Sequence, residues 1–414
     1  MNRRSASILM ALVLGLATGA LVDAALAASM LMVTRPIASL WLDALTMTVV
    51  PLVFALIVGG IAGAADAAST GKAAPRALAW FAVTLIGVSV LAAGFTAFLL
   101  DLFPVPGGAA LLQVAGAPLP TAEASDWFAG IIPANPIKAA ADTAMVPLVV
   151  FALAMGFATA RIAPALRLPL LAVIRGLGEA MLVIIGWVLW LAPLGIFALA
   201  FGVGATAGLG AAGVLVHYLV IVIAICLAVT LLVVVLAVVA GRTSPGAFLR
   251  AALPAQILAM STQSSLAALP AMIESAPRLG VSRDVAGIVL PIAVSVFRAA
   301  SAAANVAVAV YLAGVHGIPL GPGLLVIGAL VAAAVSVAAV GLPAQVSFFA
   351  VIGPVCIAMG VPTALLPLLL AIETLPDIFR TLGNVTADLA VTRIVGRQAD
   401  TATTAGASAR LSNG

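Results

Sequence analysis

The sequence predicts an all-α protein that crosses a membrane several times, and three observations carry that reading. Of 414 residues, 64% are hydrophobic and only 8% are charged, with a mean hydropathy of +1.30; soluble domains run near half apolar and a quarter charged. Apolar runs of about twenty residues or more recur from end to end, each long enough as a helix to cross a hydrocarbon core about 30 Å thick. The few basic residues are scattered singly and fall mostly in alternate connections, which is the asymmetry that orients membrane spans.

Taken in order, the runs cover 5–33, 37–64, 79–102, 146–165, 177–204, 211–240, 285–314, 324–360 and 361–392. Together they predict roughly eight spans plus shorter pieces. The first run follows Arg3 and Arg4 and ends in small residues. That pattern also fits a cleaved signal peptide, but the run is long enough to span, and retaining it gives an even number of crossings. Residues 103–142, rich in Pro, Gly and Ala, read as an external loop. Arg3, Arg4, Lys72, Arg76, Arg161, Arg167, Arg175, Arg242, Arg250, Arg278, Arg283, Arg393, Arg397 and Arg410 gather on one side; Arg35 and Lys138 fall on the other. Both termini are therefore expected in the cytoplasm of a multi-pass protein of the inner, cytoplasmic membrane. The small, polar residues 398–414 read as a disordered cytoplasmic tail.

A net charge of +4 does not point to nucleic acid, because no basic stripe or aromatic interleaving accompanies it. Cys226 and Cys356 sit in apolar surroundings without metal spacing and read as buried thiols. No resident cofactor is expected.

The second half differs from the first. The run near 250–276 is broken by Ser-Thr-Gln-Ser-Ser, and the run near 324–360 by Gly341-Leu342-Pro343-Ala344-Gln345; each is followed by a long helix with charge inside it. Paired interrupted segments followed by charged helices are what the internal repeats of a transporter leave in sequence. Non-helical backbone at membrane depth persists only where protein or a water-filled cavity satisfies its N–H and C=O groups.

The last charged helix reads ETLPDIFRTLGNVTADLA, 373–390. At 100° per residue, Glu373, Asp377, Arg380, Thr381, Asn384 and Asp388 fall within an arc of roughly 100°. Ionisable groups in hydrocarbon cost several kcal/mol, so such a stripe faces a cavity, an ion, a substrate or compensating charge. A purely structural salt-bridge network built on Asp377 and Arg380 is the plainer alternative, but three carboxylates exceed one arginine. Arg298, in VLPIAVSVFRAASAAANVAVAV, has no acid within its own run, and the stripe is its expected partner.

These motifs resemble the dicarboxylate/amino acid:cation symporter family, the glutamate and aspartate transporters. The resemblance is collinear through VVPLVFALIVGGIAGAAD, IIPANP, GEAMLVIIGWVLWLAPLGIFALA, the Ser-Ser-Leu-Ala-Ala-Leu-Pro stretch and DIFRTLGNVTADLA. It implies a glutamate-transporter-like fold with about eight transmembrane helices and two re-entrant hairpins in inverted repeats. Residues 1–240 would form six helices, mainly scaffold, with the third and sixth in the mobile part. Residues 241–397 would form the transport core: first hairpin 250–276, seventh helix 284–314, second hairpin 324–360, eighth helix 362–397. A homotrimer follows from the same resemblance.

By the resemblance, Asp377 holds a substrate amino group, Arg380 a distal carboxylate, and Ser301, Thr381 and Asn384 the remaining polar groups. Ser264 and Ser265 lie at the first hairpin tip, and Gly341, Leu342 and Pro343 form the second, the gate. Asn384 and Asp388 match a sodium site. Departures concern a further sodium site: Phe297, Arg298, Ala299, Ala300 and Ser301 stand where the family has Asn-Met-Asp-Gly-Thr, and Phe81 and Leu85 flank the one retained ligand, Thr84. Losing an aspartate and gaining an arginine shifts the local charge by +2, so Arg298 is expected to act as a tethered cation toward Asp388 or Asp377. Coupling to a proton through Glu373 is the other expectation.

The implied activity is secondary transport of an acidic amino acid or C4-dicarboxylate, a small organic anion, with sodium or protons as the coupling ion. A carrier of neutral or other small amino acids or organic acids, proton-coupled or exchanging, is the alternative. A transport-incompetent binding protein and an intramembrane serine hydrolase using Ser264 or Ser265 with His217 or His316 are more distant ones.

Overall fold

The computed structural model describes residues 3–68, 73–106, 131–208, 210–338 and 344–412. Helices follow one another as α1 (Arg3–Leu21), α2 (Ala24–Thr46), α3 (Val49–Ala68), α4 (Ala73–Leu102), α5 (Pro136–Ala141), α6 (Met145–Thr159), α7 (Pro164–Trp190), α8 (Ala192–Ala207) and α9 (Gly210–Val239). The second half continues with α10 (Pro245–Thr262), α11 (Ser265–Ser275), α12 (Arg283–Val296), α13 (Ala299–His316), α14 (Pro322–Ala338), α15 (Ala344–Ala358), α16 (Leu366–Leu370) and α17 (Thr374–Ser412). No strand occurs among the described residues. The all-α membrane class holds, with Ala24–Gly63, Ala73–Leu102, Pro164–Trp190, Gly210–Val239 and Arg283–His316 each long and apolar enough to cross.

Polar residues inside apolar runs set several boundaries that the runs alone misplace. The expected first span, 5–33, breaks at Asp23, whose carboxylate accepts hydrogen bonds from Ala25 N (3.1 Å) and Leu26 N (2.9 Å) and so caps α2. The run at 177–204 divides at Leu191, because Pro193 suits the first turn of α8 and not the interior of a longer helix. Residues 285–314 divide at Phe297 and Arg298, both outside helical geometry. The last helix begins at Thr374 rather than near 362, since Pro376 fits its first turn, and α16 precedes it separately. Its far end runs through 398–412, where a disordered tail was expected; that stretch is rich in alanine, the strongest helix former.

α13 is buried along almost its whole length. Its residues from Ala299 to Ala313 are all buried, mostly alanine and valine, and small side chains let α4, α9, α14 and α17 approach closely. α10 and α11 pack against each other and against α17, meeting at Gln263, which adopts a left-handed turn (φ 53°). α14 and α15 pack likewise; the expected gate residues Gly341, Leu342 and Pro343 lie outside the described residues.

Away from this body, α1 lies along α8. Gly15 and Gly19 of α1 and Gly204 of α8 make that contact: a Cβ at Gly19 would collide with Phe201 O, and one at Gly204 with Leu16 O. This is close helix pairing through small residues four apart. Replacing Gly19 by leucine should therefore separate α1 from α8 and cost about 1–3 kcal/mol, read as a lowered melting temperature in detergent. Gly87→Leu, where a Cβ meets nothing within 4 Å, should leave it almost unchanged.

Candidate functional site

The polar stripe of α17 faces inward. Glu373, Asp377, Arg380, Thr381, Asn384 and Asp388 are all buried, and Asp388 is 0% exposed. Gly383, on the same helix, explains how close α13 comes: a Cβ there would lie 2.5 Å from Ala300 Cβ and 2.9 Å from Thr230 Oγ1. The approach brings Asn384 onto the first turn of α13, where its Oδ1 accepts from Ser301 N (3.1 Å) and its Nδ2 donates to Ser301 Oγ (2.8 Å). One amide thus satisfies an otherwise orphan helix-terminal N–H.

Arg380 lies at the centre of a second set of contacts. Its Nε is 2.8 Å from Glu373 Oε1, and its Nη1 donates to Asn305 Oδ1 at 2.7 Å. Tyr218 of α9 donates to Glu373 Oε2 (2.9 Å), and Asn305 Nδ2 donates to Ser336 Oγ of α14 (3.3 Å). A buried chain Tyr218–Glu373–Arg380–Asn305–Ser336 therefore links four helices. Arg380 Nη2, Asp377 Oδ2 and both carboxylate oxygens of Asp388 have no hydrogen-bond partner. Buried polar atoms in that state are uncommon, and each calls for an explanation.

Arg298 joins the same group. At the break between α12 and α13 its charge acts on Asp377, Asp388 and Arg380, so two cations and three carboxylates share one buried region.

Beside it, Phe81 of α4 stacks on Phe297 with ring centroids 4.5 Å apart and an interplanar angle of 18°. Leu85 and Ala299 are buried there too, and Thr84 Oγ1 has no partner. A hard cation needs several oxygen ligands; this position offers aromatic carbon. Asp388, by contrast, retains carboxylate oxygens suited either to a sodium ion or to a guanidinium.

The α10–α11 tip is tied to the start of α17 by Gln263 Nε2 donating to Thr374 O (3.3 Å). Ser264 caps α11, its Oγ accepting from Ala267 N at 3.2 Å, and Ser265 follows as the first helical residue. No serine–histidine couple forms: His217 Nδ1 lies 3.2 Å from Tyr311 OH, which donates to Val214 O, and His316 Nε2 is unpartnered. The hydrolase alternative therefore has no base at its serine.

Sequence reasoning missed Tyr218, Asn305 and Ser336. A signal existed for the first: the chain has only two tyrosines, and both are fully buried inside apolar helices. Asn305, a lone amide within an alanine–valine run, gave a similar one.

Known proteins resemble this chain over most of its length. Residues 5–398 match the model of the sodium:dicarboxylate symporter family. The chain is 26% identical to the proton/glutamate-aspartate symporter of Escherichia coli (strain K12) over 380 residues, covering 87% of this chain and 84% of the relative. It is 27% identical to a C4-dicarboxylate transport protein of Deinococcus radiodurans, covering 94% and 88%. It is also 27% identical to the human neutral amino acid transporter A, covering 83% and 72%.

Exchanging Asn384 for leucine removes both bonds to Ser301 and leaves two buried groups unsatisfied, at about 1–3 kcal/mol each. The expected result is a clear loss of thermal stability together with faster hydrogen exchange in the first turn of α13. Thr230→Val, which loses only a bond within its own helix (Thr230 Oγ1 to Cys226 O, 2.7 Å), should produce neither.

Proposed function

The chain belongs to the sodium:dicarboxylate symporter family, and from that premise we propose that it carries an acidic amino acid or C4-dicarboxylate across the cytoplasmic membrane by alternating access, with sodium coupling reduced or replaced. One observation carries the reading: on the buried face of α17, Arg380 Nη2 and Asp377 Oδ2 are both unpaired. A guanidinium nitrogen suits a substrate carboxylate, and a carboxylate oxygen suits an amino group. Ser301, Thr381 and Asn384 supply the remaining polar contacts, and Ser264 and Ser265 the tip of one hairpin, with Gly341, Leu342 and Pro343 as the opposite gate.

Charge decides the coupling. Without Arg298, the charges of Arg380, Glu373, Asp377 and Asp388 sum to −2 when all are ionised, so a further anion is accepted only with compensating positive charge. Arg298 supplies one fixed cation, in place of a diffusible ion at the Asn384/Asp388 position, and brings the sum to −1. Glu373, which holds Arg380, supplies the other route: a proton taken up by Glu373 as substrate arrives frees the guanidinium for the substrate carboxylate. The packed Phe81–Phe297 pair supports the loss of one sodium position. The same reading takes residues 1–240 as mainly scaffold and 241–397 as transport core, in a homotrimer with cytoplasmic termini.

A specific observation favours the alternative of a neutral amino acid or other small organic acid. Glu373 already neutralises Arg380 at 2.8 Å, leaving a pocket suited to a zwitterion, and relatives named neutral amino acid transporters are among the matches.

Uptake into proteoliposomes across a panel of amino acids and dicarboxylates, in sodium and in choline buffer and with a pH gradient, separates these. Saturable acidic-substrate uptake in choline, stimulated by an inward proton gradient, is expected; strict dependence on sodium removes the tethered-cation reading. Arg380→Ala should weaken acidic substrates about 100-fold, the worth of a charged hydrogen-bond pair near 3 kcal/mol, and admit neutral amino acids. Arg298→Ala should abolish uptake in choline while Glu373→Gln should abolish its pH dependence but keep exchange.

A further inference from the structure

A half-open cavity of about 450 Å³ lies between α3, α7 and α12, away from the polar stripe. Its walls are apolar and glycine-rich: Gly59 and Gly63 of α3, Gly178 of α7, and Ile292 and Val296 of α12. A Cβ at Gly59 or Gly63 would meet nothing within 4 Å, so the glycines border open space instead of a neighbouring helix. Two charged side chains line the same cavity, Arg175 and Glu179. They are four residues apart on α7 and share one face of it. Both are exposed, and among the described residues neither forms an ion pair or a side-chain hydrogen bond. Ser295, also in the lining, spends its hydroxyl on Pro291 O at 2.7 Å. The cavity thus presents one positive and one negative group, both available, within an otherwise apolar lining.

We propose that this cavity binds a phospholipid with a zwitterionic ethanolamine headgroup. Its phosphate takes Arg175, its ammonium donates to Glu179, and one acyl chain lies in the glycine-lined slot against Ile292 and Val296. Depth agrees with a headgroup: α3 leads from Gly63 toward Lys72, α7 starts beside Arg161 and Arg167, and α12 starts at Arg283, which is the basic side of the membrane. A purely anionic lipid satisfies Arg175 but sets its charge beside Glu179. A choline headgroup balances charge, yet its ammonium has no N–H to give the carboxylate. The occupant lies between α3 and α7 on one side and α12 on the other, and α12 ends at the break that carries Arg298.

Native mass spectrometry of the full chain, with phosphatidylethanolamine, phosphatidylcholine or phosphatidylglycerol added to the detergent, tests this without reading transport. The native chain should retain phosphatidylethanolamine at about tenfold lower concentration than either other lipid, the worth of one charge-assisted hydrogen bond at about 1.4 kcal/mol. Glu179→Gln should erase the preference over phosphatidylcholine, Arg175→Gln should weaken both zwitterionic lipids, and Gly63→Leu should fill the slot and lower retention of all three. Equal retention of ethanolamine and choline lipids by the native chain overturns the proposal, as does a preference for phosphatidylglycerol that Glu179→Gln leaves intact. The comparison of lipids on the native chain decides the matter even where a variant does not fold.

Discussion

The ion pair between Glu373 and Arg380 is the constraint around which the rest of the core is arranged. Two charges 2.8 Å apart and shut off from water survive only when their remaining hydrogen-bonding capacity is met, because desolvation otherwise outweighs their attraction. Tyr218 meets it on the carboxylate, and Asn305 meets it at Nη1 of the guanidinium, which leaves Nη2 as the one open donor nitrogen of the pair. Each of those partners fixes a different helix against α17. The alanine-rich surface of α13 and the absence of a side chain at Gly383 then become requirements, since any bulk there would hold Asn305 and Ser301 out of reach.

The fold class was readable from composition because apolar excess leaves no other destination for so much surface. The polar face of α17 was readable because helical geometry is local: six residues spread over about four turns declare their shared side without knowledge of the partner. Of what faces that side, only Arg298 was readable, because an arginine inside an apolar run demands a partner. Tyr218 and Ser336 lie more than a hundred and about forty positions from α17 in sequence, and a polar group inside an apolar helix shows that it has a partner without showing which. Helix limits failed for a related reason. Asp23, Pro193 and Pro376 act through single capping or turn geometries, and a hydropathy run averages across them.

The matching of chemistry to position was legible in one unusual respect. Phe297 and Phe81 are far apart in the chain, but the resemblance assigned both to one expected ion position, and their rings are stacked on each other. Offset or stacked aromatic pairs contribute about 0.5–1.5 kcal/mol beyond the area they bury. The pair is therefore a cohesive contact between α4 and the break before α13, and a reversal of either residue alone would leave a void and a mismatched partner.

Arg298 is joined to the backbone at that break by covalent bonds. In the carrier proposed above, a positive charge of this kind would travel with its site in both directions, loaded and empty alike, and never exchange with the solution on either side. It can neutralise carboxylates, but it cannot draw work from an ion gradient, so a carrier that relied on it alone would equilibrate its solute and no more. Concentrative power in such a molecule has to come from a particle that dissociates.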